Sequence, residues 1–173
     1  MFCDVGATYF LPRLFNNKAE LGLYTGLTGE RIKGVDLAKC GVATHFVPSE
    51  RIQEMKDELI TCGEEMVSKE KISKVIEKYS EHVYSPETFY FANEEEIVKI
   101  FKLDSLTEIY GRLVELASKD ENSWASKAIK QINSGSPISL CVVLEQLKRG
   151  IRMKTLEDAL DLESQMVASY FIY

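Results

Sequence analysis

A mainly α chain with one short strand segment is what this sequence predicts, and two observations carry the prediction. After Pro48, runs with apolar residues three and four apart follow one another to the end, most of them opened by a helix-starting residue. Before Pro48, residues 42–47, Val-Ala-Thr-His-Phe-Val, are the one run that reads as a strand.

In chain order, Ala19, Leu21, Leu23 and Tyr24 space a short helix over Asn17 to Thr25, closed by Gly26 and Gly29. Gly22 and Gly26 form a small-x-x-x-small pair, which predicts close helix packing. Lys33 to Lys39 predicts another short helix, with Gly41 as a left-handed cap. His45 lies alone in the strand-like run and reads as a structural histidine. Ser49 opens a helix with Ile52, Met55, Leu59 and Ile60 on one face, stopped by Gly63, and Ser68 opens the next. Tyr84 to Ala92 is a connector whose Phe89, Tyr90 and Phe91 anchor it onto the helices. Asn93 with Glu96 and Ser105 with Glu108 have the capping-box spacing, so each should open a helix. Trp124 starts an amphipathic run to Ile132, and Ser136-Pro137 is an N-cap followed by proline at the first helical position. Thr155 opens the last helix, with Leu156, Ala159, Leu160, Met166, Val167, Tyr170 and Phe171 expected inward.

Charge and composition narrow the function classes. A net charge of −6 without a Lys/Arg-rich block argues against binding a phosphate backbone, so no nucleic-acid partner is expected. No apolar run approaches the roughly eighteen residues that span a bilayer, so no membrane partner is expected either. Cys3, Cys40, Cys62 and Cys141 are scattered without metal-ligand spacing, which predicts free thiols in a reducing compartment and no metal site. The opening residues have neither a basic secretory n-region nor an Arg-rich transit pattern. Phosphate-cradling glycine loops and a G-x-S-x-G elbow do not occur in the sequence.

The chemistry-bearing candidate is Asp4. It precedes Gly6 and the small residues Ala7 and Thr8, then an aromatic-rich run broken by Pro12. A carboxylate on a tight loop can be held at a fixed angle for acid/base work or hydroxyl recognition. It can equally cap a helix start. The residues alone leave both readings open.

The opening resembles the 3-hydroxyisobutyryl-CoA hydrolase branch of the crotonase (enoyl-CoA hydratase/isomerase) superfamily, whose signature is Pro-Asp-Val-Gly-Gly-Gly-Tyr-Phe-Leu-Pro-Arg-Leu. Asp4-Val5-Gly6 and Tyr9-Phe10-Leu11-Pro12-Arg13-Leu14 match it, with Cys3 in place of the proline and Ala7-Thr8 in place of two glycines. The likeness continues through Leu27-Thr28-Gly29, Arg31-Ile32-Lys33-Gly34 and Gly41 to Val47, and returns at Ser136-Pro137-Ile138-Ser139-Leu140. Glu163-Ser164-Gln165 stands where the family usually has Glu-Tyr-Arg.

What the resemblance implies is the C-terminal helical part of a crotonase-like α/β fold. Residues 1–48 would close the core and carry the catalytic-Asp loop, and 49–173 would form a C-terminal helical region. The activity implied is an acyl-CoA thioester hydrolase of valine breakdown, releasing 3-hydroxyisobutyrate and coenzyme A. Coenzyme A belongs to the acyl-CoA substrate, and no other cofactor is implied. Asp4 takes the place of the family's catalytic, substrate-binding aspartate. Its glutamate partner and the oxyanion hole fall upstream of Met1. The chain is therefore expected to be inactive alone, and to associate with itself or with a missing N-terminal half. The implied location is mitochondrial in a eukaryote and cytoplasmic otherwise. A second reading is a non-catalytic structural subunit, since a mitochondrial-ribosome protein similar to this family exists.

Overall fold

The computed structural model describes residues 3–39, 41–61, 68–81 and 89–172, with the backbone alone at 39, 89–91 and 170–172. Two compact units make up the chain: Met1–Arg31 together with Asn93–Tyr173, and Ile32–Ala92.

The first unit begins with helix α1 (Ala7–Phe10), a 3₁₀ turn at Leu11–Arg13, α2 (Leu14–Asn17) and α3 (Ala19–Thr28). α2 is kinked, because Phe15 and Asn16 both sit at φ 56°, in left-handed backbone. That bend drives the Phe15 ring into the core, where it is 1% exposed. α3 runs three residues beyond Thr25, the end expected from the sequence. Gly26 is a packing residue against Leu147, and it is Gly29, at φ 68°, that ends the helix by donating to the Thr25 carbonyl at 2.9 Å.

The second unit holds α4 (Val35–Lys39), a 3₁₀ turn at Ser49–Arg51, α5 (Ile52–Thr61) and α6 (Lys69–Tyr79). The strand segment expected near 42–47 is not formed, since those residues lie in turn and irregular backbone. Their amides go elsewhere: Val42 and Ala43 both donate to the Leu37 carbonyl, at 2.9 and 2.8 Å, and close the end of α4. A β-rich composition makes a strand only when a partner strand takes up its backbone groups. α6 starts as its sequence predicts, with the Ser68 side chain accepting from the Lys71 amide. It packs on α5 through Val75 and Tyr79, whose hydroxyl donates to Glu58 at 2.7 Å. The Gly63 stop and Cys62 lie outside the described residues, as does Cys40.

α7 (Phe89–Phe101) reaches back into the first unit, which α8 (Leu106–Ala117), α9 (Trp124–Asn133), α10 (Pro137–Arg152) and α11 (Leu156–Ile172) complete. Asn93 does not open α7 but lies inside it, four residues after its start. The aromatic run Phe89 to Phe91 supplies the first turn instead, and its side chains lie outside the described residues. Ser105 and Glu108 form the reciprocal capping box that their spacing predicts, and Ser123 and Ser136 cap α9 and α10.

Around α3 the core closes. Tyr24 meets Phe101 and Trp124 edge to face, with ring centroids 5.2 and 5.9 Å apart. Ile97, Ile109, Leu113, Ala128 and Leu147 fill the space between α7, α8, α9 and α10. α8 packs on α9, and α10 packs on both α3 and α1. Two glycines set how closely these elements approach. A Cβ on Gly22 would lie 2.1 Å from the Leu11 carbonyl oxygen, and one on Gly150 would lie 2.0 Å from that of Thr8. Gly111, in α8, has nothing within 4 Å of a Cβ position.

The last helix departs from its expected face. Ala159 is buried, but Leu156 and Leu160 are 37% and 42% exposed, and the inward position one turn beyond Ala159 belongs to Glu163, 1% exposed. The side chains of Tyr170 and Phe171 lie outside the described residues.

These contacts predict opposite outcomes for one substitution type. Gly111→Ala should raise unfolding free energy by about 0.5–1 kcal/mol through helix propensity alone. Gly22→Ala and Gly150→Ala should each lower it by about 2 kcal/mol or more, because backbone must shift to admit the methyl. Urea titrations of the three variants measure all three values.

Candidate functional site

Asp4 is exposed on the loop that leads into α1. Its Oδ1 accepts from the Val5 amide at 2.8 Å, and its carbonyl accepts from Ala7 at 3.1 Å, closing a turn. The cap position of α1 is Gly6, with no side-chain cap hydrogen bond, so Asp4 is not the cap of this helix. The carboxylate projects from a tight turn and keeps acceptor capacity for a donor in solution. Val5 is at φ 54° and Gly6 at φ 88°. Glycine takes that conformation freely, but a β-branched valine held there stores about 1–3 kcal/mol of backbone strain.

What holds the turn comes from the other end of the chain. Glu163 on α11 accepts from the Gly6 amide at 2.7 Å, the Thr8 amide at 3.0 Å and the Thr8 hydroxyl at 2.5 Å. Gln146 on α10 donates through Nε2 to the Cys3 carbonyl at 2.7 Å and to the Thr8 hydroxyl oxygen at 2.6 Å. The Cys3 carbonyl can only accept, which orients the Gln146 amide. The Thr8 hydroxyl then has one consistent role, accepting from Gln146 and donating to Glu163. All three side chains are buried.

Arg13 secures the far side of α1. Its guanidinium stacks 3.7 Å over the Tyr9 ring and donates to the Tyr9 and Gly150 carbonyls at 2.8 and 3.0 Å, and to the Met153 carbonyl at 2.5 Å. The last two acceptors sit at the C-terminal end of α10, where a cation is favoured, and the Gly150 carbonyl also accepts from the Met153 amide at 3.3 Å.

Two surfaces flank the turn. Phe10 and Leu156 lie over Gly6, within 3.2 and 3.0 Å of where its Cβ would be, and both remain partly exposed alongside Val5. Beside Cys3 is a depression of ≈ 280 Å³ lined by Gly26, Thr28, Ser134, Ser136 and Ser139 among others. Burial first, and the negative charge of Glu163 second, push the Cys3 thiol up to about 11. Among the described residues no group of His, Cys, Asp and Glu could hold a metal ion.

A sequence profile described as enoyl-CoA hydratase/isomerase matches residues 1–172. This chain belongs to that family. A 3-hydroxyisobutyryl-CoA hydrolase, mitochondrial, from Dictyostelium discoideum is 39% identical over 171 residues, covering 99% of this chain and 42% of the relative. The human protein of the same name is 37% identical over 169 residues, covering 96% of this chain and 41% of its own length. The crystal structure of a carnitinyl-CoA dehydratase from Mycobacterium thermoresistibile superimposes with a TM-score of 0.74 at 26% identity, over 94% of this chain and 43% of that one. The chain thus spans about two fifths of the length of the relatives it matches. The hydrolase-like resemblance of the opening residues is the one that these sequence identities support.

In this member of the enoyl-CoA hydratase/isomerase family, the structure joins the backbone on either side of Asp4 to two residues that the sequence reading did not select as site residues. Glu163 and Gln146 lie 155 and 138 residues from Thr8 along the chain. A signal for Glu163 existed. It falls four residues after Ala159, on the face that the helical period turns inward, and a carboxylate there needs buried donors.

The Cys3 environment has a chemical consequence. A rise from 9.0 to about 11 lowers the thiolate fraction near pH 8 by roughly a hundredfold. Iodoacetamide should therefore modify the exposed Cys141 at least about tenfold faster than Cys3 in the native protein, with the difference lost in urea. Peptide mapping of a time course reads both rates.

Proposed function

We propose that this chain is the C-terminal half of an acyl-CoA thioester hydrolase that converts 3-hydroxyisobutyryl-CoA to 3-hydroxyisobutyrate and coenzyme A. Asp4 is the catalytic, substrate-binding carboxylate of this reading. The observation that supports it most is the Asp4 turn: an exposed carboxylate on a loop clamped by buried hydrogen bonds, within the stretch that matches the hydrolase signature. A pre-set acceptor of this kind can take the substrate's 3-hydroxyl without first being ordered. Water attacks the thioester carbonyl, the C–S bond breaks, and the sulfur leaves as the coenzyme A thiol. The charge that develops on the carbonyl oxygen needs an oxyanion hole, which this reading places in the preceding part of the enzyme. No cofactor is needed beyond the coenzyme A of the substrate. The location is mitochondrial in a eukaryote, as in the names of the relatives, and cytoplasmic otherwise.

The test is kinetic. This chain alone should release no coenzyme A from 3-hydroxyisobutyryl-CoA. The full-length protein should turn it over, and Asp4→Asn there should lower kcat/KM by about ten- to a hundredfold, as for loss of a hydrogen bond to a charged group. The same acyl-CoA without its 3-hydroxyl should lose much less. If Asp4→Asn is silent on both substrates, the carboxylate has no catalytic role; if the full-length protein releases no coenzyme A at all, the non-catalytic structural subunit replaces the hydrolase reading.

The same reading expects association, with a second copy or with the rest of the enzyme. Val5 and Ile138 are 86% and 73% exposed, and half-exposed Phe10 and Leu160 add to the apolar surface that such contact would cover. Light scattering should show a species larger than the 19.6 kDa monomer. A clean monomer at micromolar concentration would count against it.

A further inference from the structure

The geometry points to Glu163 as a positioning residue for Asp4, acting through the backbone of the turn; this rests on the catalytic reading of Asp4 given above. Asp4 is gripped on both sides. The carbonyl of Cys3, just before it, is held by Gln146, and the amide of Gly6, two residues after it, is held by Glu163. The two grips meet at one atom, the Thr8 hydroxyl, which accepts from Gln146 and donates to Glu163. Between the grips, Val5 is kept at φ 54°, a conformation that an unrestrained valine leaves. Rotation about that one residue re-aims the Asp4 side chain. The carboxylate that prevents the rotation is therefore the one on Glu163.

Charge and shape both matter at this position. Three donors converge on two carboxylate oxygens, in a site where Glu163 is 1% exposed. Glutamine keeps the shape but offers one acceptor oxygen, and its NH2 then faces a donor. The Gly6 or Thr8 amide loses its partner, and the turn is free to relax. The remote Arg13 contacts, which do not involve Glu163, should stay as they are.

Two measurements test the proposal. Amide hydrogen exchange in Glu163→Gln, at a temperature where its circular dichroism is unchanged, should speed up at Gly6 and Thr8 by about tenfold or more while the α8 and α9 amides keep their protection. In the full-length protein, Glu163→Gln should lower kcat/KM for the 3-hydroxylated acyl-CoA by about tenfold, yet by less than about twofold when Asp4 is already Asn. A residue that only supports folding would cost the same in both backgrounds, and that additive result would overturn the proposal. So would unchanged exchange at Gly6 and Thr8. If Asp4→Asn itself is silent, the catalytic reading of Asp4 fails first, and the positioning role falls with it. Should Glu163→Gln not fold, Glu163→Asp keeps the charge, shortens the reach, and runs through the same cycle with the same expected sign.

Discussion

One buried carboxylate, that of Glu163, holds the turn with which the described part of the first unit begins. Taking Glu163 out of water costs several kcal/mol unless donors replace the lost hydration, and a backbone turn supplies them with two amides while a threonine supplies a hydroxyl. Once that requirement exists, the loop before α1 has little freedom left. The amides of Gly6 and Thr8 must point at α11, which sets the left-handed sequence at Val5 and Gly6 and leaves Asp4 facing out. The strain at Val5 is maintained because releasing it would strand a charge in the interior.

Close approach makes the clamp possible. Gly150 lets α10 press its backbone against the carbonyl of Thr8, and Gly22 lets α3 do the same at Leu11. At that distance Gln146 reaches Cys3 and Thr8 directly, and Arg13 reaches the last carbonyls of α10. The short first helix and the 3₁₀ turn after it are thus each seated by backbone contact, and polar side chains hold both ends of the pair. The cost is narrow tolerance. A methyl group at either glycine has no space that a side-chain rotation can open.

This construction suits a chain of the enoyl-CoA hydratase/isomerase family in which one exposed carboxylate stands on otherwise buried supports. Hydrogen bonds within the clamp are shielded from solvent and so resist salt and competition from water. Asp4 itself, being exposed, keeps its acceptor capacity for a partner. The apolar side chains of Val5, Phe10 and Leu156 beside it give the same surface a dry flank.

Much of the helical framework was legible in the sequence because its determinants are local. Ser68, Ser105 and Ser136 each hydrogen-bond an amide three residues on, so the stretch that contains the serine also contains its partner. The signature around Asp4, and hence the family, was legible for a similar reason. Elements whose partners are distant were not. Residues 42–47 have strand-forming side chains, but strand formation is settled by a neighbouring strand, and Leu37 took up the amides of Val42 and Ala43. Asn93 has the spacing of a cap, yet the helix had already begun at Phe89, where aromatic residues gave no starting signal. Leu156 and Leu160 have the inward spacing but are half exposed, because the buried stripe of α11 follows Ala159 and Glu163. By itself the sequence determined most of the helical segments, where most of them start, and that a carboxylate stands just before a glycine and two small residues at Gly6 to Thr8. Only the tertiary structure decided how that carboxylate is held, since the donors and acceptors that do it come from residues more than 130 positions apart and no local pattern records which will meet.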